Sequence, residues 1–137
     1  LQSKFDEYHT YNSCYSNIDV LCISETSKRE NNNFKMNILM NGYQSPFSLG
    51  SKSSRGSVLI YVKNGIKVME RHDLNAVNSD FEAIWVEILN SNKKISLCSC
   101  IYRHPNSNLE NFGNYITDCI NKINKEKKHV IFQEILI

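Results

Sequence analysis

The chain has 137 residues, 41% of them hydrophobic and 22% charged, with 16 Lys and Arg against 14 Asp and Glu for a formal net charge of +2. That length allows one hydrophobic core, and the composition excludes a disordered tail and a fibrous repeat. The charge is too balanced for bulk electrostatics to imply nucleic acid, so any such partner has to be argued from a site.

From the N-terminus, Phe5, Tyr8 and Tyr15 recur at loosely helical spacing. They predict a helix over residues 4–14, weakened by its Asn and Thr content. Residues 19–24 are a short continuous apolar run, the pattern of a strand buried on both faces, and the strand ends at Glu25. Residues 28–33 are charged and Asn-rich and read as a loop, while Asn41-Gly42 and Ser45-Pro46 mark turns around a short strand. The serine-rich stretch 50–56, with Lys52 and Arg55, reads as a flexible polar loop.

Strands are predicted over residues 58–63, 81–89 and 94–102, with a shorter candidate over 67–70. Asn64-Gly65 is a two-residue hairpin signal, because both turn positions of type I′ need φ > 0, and residues 90–93 read as another hairpin. Cys98 and Cys100 alternate along one of these strands and therefore point to one face. The five cysteines, an odd number without a C-x-x-C, read as buried reduced thiols in an intracellular setting rather than a disulfide framework or zinc site.

Leu109, Phe112, Ile116, Ile120 and Ile123 repeat at three- and four-residue steps, and Ser107-x-x-Glu110 has capping-box form, so a helix is expected here. The lysines among residues 125–128 complement the helix C-terminal dipole, or alternatively offer a phosphate patch. A last buried strand is expected over residues 130–132. The order is mixed α+β, with helices covering sheets. No apolar run approaches the ~18 residues of a membrane span, and no signal-peptide pattern is present. Starting at Leu1 and ending on Ile135-Leu136-Ile137, the chain reads as a single partial domain, residues 1–137, of something longer.

Two places can carry chemistry. Glu25 closes a buried strand immediately before a polar loop, where open α/β architectures place ligands, and a carboxylate there suits a hard cation. Tyr102-Arg103-His104-Pro105-Asn106 follows another strand directly, and its phenol, guanidinium and amide are groups that can reach a phosphate.

Four segments in order are Asn17-Ile-Asp-Val-Leu-Cys-Ile-Ser-Glu-Thr26, Arg55-Gly-Ser-Val-Leu-Ile-Tyr-Val62, Phe81-Glu-Ala-Ile-Trp-Val-Glu-Ile88 and Ile101-Tyr-Arg-His-Pro-Asn-Ser-Asn108. Together they resemble the endonuclease domain of non-LTR (LINE-type) retrotransposon polyproteins, a branch of the endonuclease/exonuclease/phosphatase family, over nearly the whole chain. The resemblance implies a two-sheet α/β sandwich of that family's type, truncated at both ends. It implies Glu25 as ligand of a catalytic Mg²⁺ or Mn²⁺, Tyr102 as the active-site tyrosine against the scissile phosphate, and Asn106, Arg103 and Arg55 as phosphate or DNA contacts. The implied reaction is metal-dependent hydrolysis of a DNA phosphodiester, nicking DNA so that a reverse transcriptase domain of the parent polyprotein can prime on it. DNA is then the partner, with nuclear action and no membrane.

After the long helix the family has a strand and Gly-Asp-x-Asn, where this chain has Gln133-Glu134-Ile135-Leu136. Glu134 keeps a carboxylate, one methylene longer, and is the candidate for the catalytic Asp; Leu136 can neither donate nor accept a hydrogen bond. The family's later Asp-His pair has no equivalent, so the catalytic set is incomplete and an inactive endonuclease is expected. The competing readings are a non-catalytic DNA-binding remnant and a phosphatase of the same family. Exposed sheet edges would favour self-association.

Overall fold

The computed structural model describes residues 18–24, 39–49, 58–89 and 91–135, the last five by their backbone alone. The helix expected over residues 4–14 lies outside the described residues.

Among the described residues, two sheets, the first antiparallel and the second mixed, and one helix form three layers. The first sheet contains β1 (Val20–Ile23), β2 (Phe47–Ser48) and β3 (Leu59–Val62) in the order β1-β3-β2. The second contains β4 (Lys67–Glu70), β5 (Ala76–Val77), β6 (Phe81–Leu89), β7 (Ile95–Arg103) and β8 (His129–Ile135), in the order β4-β6-β7-β8 with β5 also on β6. Helix α1 (Leu109–Glu126) crosses over from β7 to β8, which makes that last pairing parallel. A tight turn cannot join parallel neighbours, so the crossover is required by topology.

Alternation along β6 and β7 divides the core. Ile84, Val86, Ile88, Cys98, Cys100 and Tyr102 face the first sheet and pack with Cys22, Val58, Ile60 and Val62. Phe81, Ala83, Trp85, Leu97 and Ile101 face α1 and pack with Cys119 and Ile123. Trp85 is fully buried, a burial contributing about 3 kcal/mol by area. Its indole Nε1 donates to Tyr115 Oη at 2.8 Å, and Tyr115 Oη donates onward to the Leu74 carbonyl at 2.6 Å. Both polar atoms of this aromatic contact are thereby satisfied.

Several local expectations change. Asn64-Gly65 does form a turn, closed by Ile66 N donating to Lys63 O at 3.3 Å, but only Gly65 has positive φ, at 86°. The turn joins β3 to β4, which belong to different sheets, so it is a corner between layers and not a type I′ hairpin. β6 and β7 pair as the expected hairpin requires, with Leu89 opposite Ile95 and Lys93 at φ 62°. The helix cap is Asn108 rather than Ser107: Asn108 Oδ1 accepts from Glu110 N at 2.9 Å and Asn111 N at 3.3 Å. The buried helix face also shifts, to Phe112, Tyr115, Ile116, Cys119 and Ile123, leaving Leu109 66% and Ile120 37% exposed. The closing strand is longer than residues 130–132.

At the far end of α1, Arg71 holds three carboxylates. Its Nε and Nη2 donate to Asp73, Nη1 donates to Glu87 Oε1 at 2.6 Å, and Nη1 and Nη2 both reach Glu126. Lys128 donates to Glu87 and pairs with Glu126 as well. This cluster ties β4, β6, the helix end and the start of β8 together, and it closes the buried charge of Glu87 with two cations. Among the described residues, no helix is long and apolar enough to cross a membrane.

Candidate functional site

The opposite end of the sandwich carries Tyr102, Arg103 and Asn106 among the residues singled out by sequence. Strand β1 lies across β7 with its direction matched: Cys22 Sγ donates to Ser99 O at 4.0 Å and Cys100 Sγ donates to Ile23 O at 3.8 Å. The C-terminal end of β1 therefore sits over the C-terminal half of β7. Antiparallel pairing brings the beginning of β6 to the same end, with Glu82 directly opposite Tyr102 and Phe81 opposite Arg103.

Tyr102 is buried and turns toward the first sheet, stacking edge-on against His104 with ring centroids 5.1 Å apart. Arg103, next along the strand, faces the other way by alternation, and its Nη1 donates to Ser107 Oγ at 3.1 Å. The structure thus sets the phenol and the guanidinium on opposite faces of β7. Asn106 is exposed and adopts the left-handed conformation at φ 62°, at the tip of a turn in which Ser107 N donates to His104 O at 3.2 Å.

Glu25 and Arg55 lie outside the described residues. Glu134 is placed by its backbone only: it belongs to β8, in register with Ile101, one position before the pairing of Ile135 with Tyr102. Among the described residues no group of three or more His, Cys, Asp or Glu side chains could hold a metal ion. Glu25, the cation ligand expected from the sequence, is the next residue but one after Ile23.

Sequence reasoning missed two acids here. Glu82 is fully buried on the face that carries Tyr102, and a carboxylate in such a place is costly unless it is compensated. Its position inside an apolar strand, FEAIWVEIL, was the available signal. Asp80 is the second. Its backbone O accepts from His104 N at 2.8 Å, its Oδ1 from Asn108 N at 3.1 Å and its Oδ2 from Asn111 Nδ2 at 3.0 Å. Those bonds, from the Asn111 side chain first and the Asn108 amide second, hold its carboxyl below the usual range.

Two thiols beneath the site, those of Cys22 and Cys98, are chemically quiet. Contact with Cys100 and burial push the Cys22 thiol up to about 12, and contact with Cys22 together with burial raises Cys98 further. A thiol in that state is a poor nucleophile and a poor metal ligand.

Among solved structures, the chain is similar to the endonuclease domain of TRAS1, a telomere-specific non-LTR retrotransposon, with a TM-score of 0.64 and 14% identity. What the two share is the fold. The similarity covers 92% of this chain and 50% of the TRAS1 domain, so the chain spans about half the length of that structure. The two-sheet sandwich of the endonuclease/exonuclease/phosphatase type, expected from the sequence, is thereby seen in the structure. No protein-family model and no curated protein matches the sequence.

Proposed function

We propose that this chain is the front part of a DNA phosphodiesterase domain of the non-LTR retrotransposon kind, retaining a DNA-contacting end but not a complete catalytic set. The observation that carries the reading is the convergence of β1, β6 and β7 at one end, with Tyr102 held there, in a fold shared with the TRAS1 endonuclease domain. In this reading Tyr102 lies against the DNA phosphate and Asn106, Arg103 and Arg55 contact the backbone. Glu25 is the ligand for Mg²⁺ or Mn²⁺, which when bound would polarise the phosphoryl group. Hydrolysis needs a water oriented for attack on phosphorus as the P–O3′ bond breaks. Glu134 alone stands for that task, and Leu136 offers no hydrogen bond where the family has Asn. The reverse transcriptase domain of a parent polyprotein, in the nucleus, would be the natural user of a nick.

The experiment sets a plasmid-nicking assay with Mg²⁺ beside a DNA-binding titration across salt concentrations. The expected result is salt-sensitive binding, weakened by Tyr102→Ala, with no nicking. Nicking that survives Glu25→Ala would overturn the site assignment, and absence of any DNA affinity would overturn the function. Hydrolysis of small phosphate esters without DNA binding would favour the phosphatase reading.

A further inference from the structure

We propose that Asp80 is the positioning residue of the DNA-contacting strand exit, fixing residues 102–108 through three acceptors on one residue. The inference rests on the proposed function for what the exit contacts, and on three hydrogen bonds for how the exit is held.

The three bonds bracket Asn106. On one side the Asp80 carbonyl accepts from His104 N; on the other its carboxylate accepts from Asn108 N and from the Asn111 side chain, inside the first turn of α1. Asp80 is itself fixed, because Asn78 Oδ1 accepts from Asp80 N at 2.8 Å and Phe81 N at 3.0 Å, which locks the turn leading into β6. The chain between His104 and Asn108 must then close within a fixed span, and the left-handed Asn106 and the His104–Ser107 turn bond are how it does so. Because His104 stacks on Tyr102, the anchor also reaches the buried phenol.

The same carboxylate answers a second question. A helix N-terminus is a ready-made anion site, since its first amides point outward and its dipole favours negative charge. At α1 that place is taken: Asn108 Oδ1 caps the Glu110 and Asn111 amides, and Asp80 supplies the negative charge. A DNA phosphate is thereby directed away from the helix end and toward residues 102–106.

The test compares Asp80→Ala, Asp80→Asn and Asn106→Ala, with the double variant Asp80→Ala/Asn106→Ala. Hydrogen exchange is read at the Asn108 amide, with the Trp85 amide as an internal reference for the core; Trp85 N donates to Asn75 Oδ1 away from the exit. Asp80→Ala should lose about tenfold protection at Asn108, the worth of a lost hydrogen bond, with Trp85 unchanged. Asp80→Asn, which keeps an acceptor, should retain most of it. In DNA titrations Asp80→Ala should weaken binding about tenfold, and the double variant should be no weaker than the worse single one, because both act on the same exit. Unchanged Asn108 protection, or fully additive binding losses, overturns the inference. If the unaltered chain binds no DNA, the proposed function falls on that result, and Asp80 as the anchor of the exit stands or falls on the exchange data alone. Should Asp80→Ala fail to fold, Asp80→Asn with the same readouts decides: loss of DNA affinity at retained Asn108 protection would overturn the positioning role.

Discussion

Asn106 offers a substitution pair that separates shape from chemistry. Its φ of 62° lies in the left-handed region, where a non-glycine residue carries a steric cost of roughly 1–2 kcal/mol, eased for Asn by its short polar side chain. Asn106→Gly removes that cost and the amide together, and its greater freedom when unfolded offsets the gain, so folding stability should change by less than about 0.5 kcal/mol. Asn106→Ala removes the amide but retains a Cβ, and should destabilise by about 1 kcal/mol, lowering the melting temperature by about 4 °C for a chain of this size. If the amide contacts a DNA phosphate, both variants lose that bond, and affinity should fall about fivefold in each. Thermal unfolding followed by circular dichroism and duplex binding followed by fluorescence anisotropy supply the two columns. A Gly variant that binds DNA as well as the unaltered chain would reduce Asn106 to a turn residue and refute its contact role. An Ala variant as stable as the original would refute the claim that the turn constrains φ.

The remaining predictions concern the frame behind the exit. Arg71→Ala should cost about 3 kcal/mol, near the low end for breaking a buried ion pair because Lys128 still serves Glu87, and a shifted urea midpoint reports it; a change below about 1 kcal/mol would mean the cluster is merely solvated. Arg71 lowers the folded-state pKa of both Glu126 and Asp73, so their contribution is present above the unfolded carboxylate range and is lost as pH falls through the depressed folded values. Urea midpoints should accordingly drop on acidification below about pH 4, and less steeply in Arg71→Ala. Tyr115→Phe removes the acceptor of the buried Trp85 Nε1–H and should cost about 2 kcal/mol, visible as a changed tryptophan emission and a lower melting temperature. Cys22, Cys98, Cys100 and Cys119 are buried and should be alkylated only on unfolding; mass mapping after a native pulse would expose any exception.

The strands were legible where punctuation and periodicity agreed. Phe81–Leu89 and Lys67–Glu70 are bounded as expected, because Asn64-Gly65 and the 90–93 hairpin set their ends chemically. What the dipeptide Asn64-Gly65 cannot encode is which sheet receives the next strand: it specifies a turn, and tertiary packing chose a corner over a hairpin. The helix face was misjudged for a related reason. Counting aliphatic residues selected Leu109 and Ile120, whereas Tyr115 and Cys119 take the buried places, since a phenol bridging Trp85 Nε1 and Leu74 O is at home in that core. Around the candidate site, the setting of Tyr102 between a strand and a capped helix was legible. Asp80 could not, because its partners stand 28 and 31 positions later and nothing local marks the pairing.

That separation in sequence also bears on how the exit is built. Everything described that shapes the exit comes from one stretch, residues 78–111: the Asn78 turn, β6, β7 and the first turn of α1. The anchoring bonds are satisfied inside that stretch, and the Arg71 cluster secures the other end of the same helix. Under the proposed function, orienting a water for attack is a different demand, since it would draw on residues after β8, and an error of about 1 Å there costs on the order of a hundredfold in rate. Phosphate contact tolerates such looseness because it rests largely on charge and on individual hydrogen bonds. Under the proposed function, the geometry for holding DNA therefore rests on the stretch 78–111, which the described residues carry.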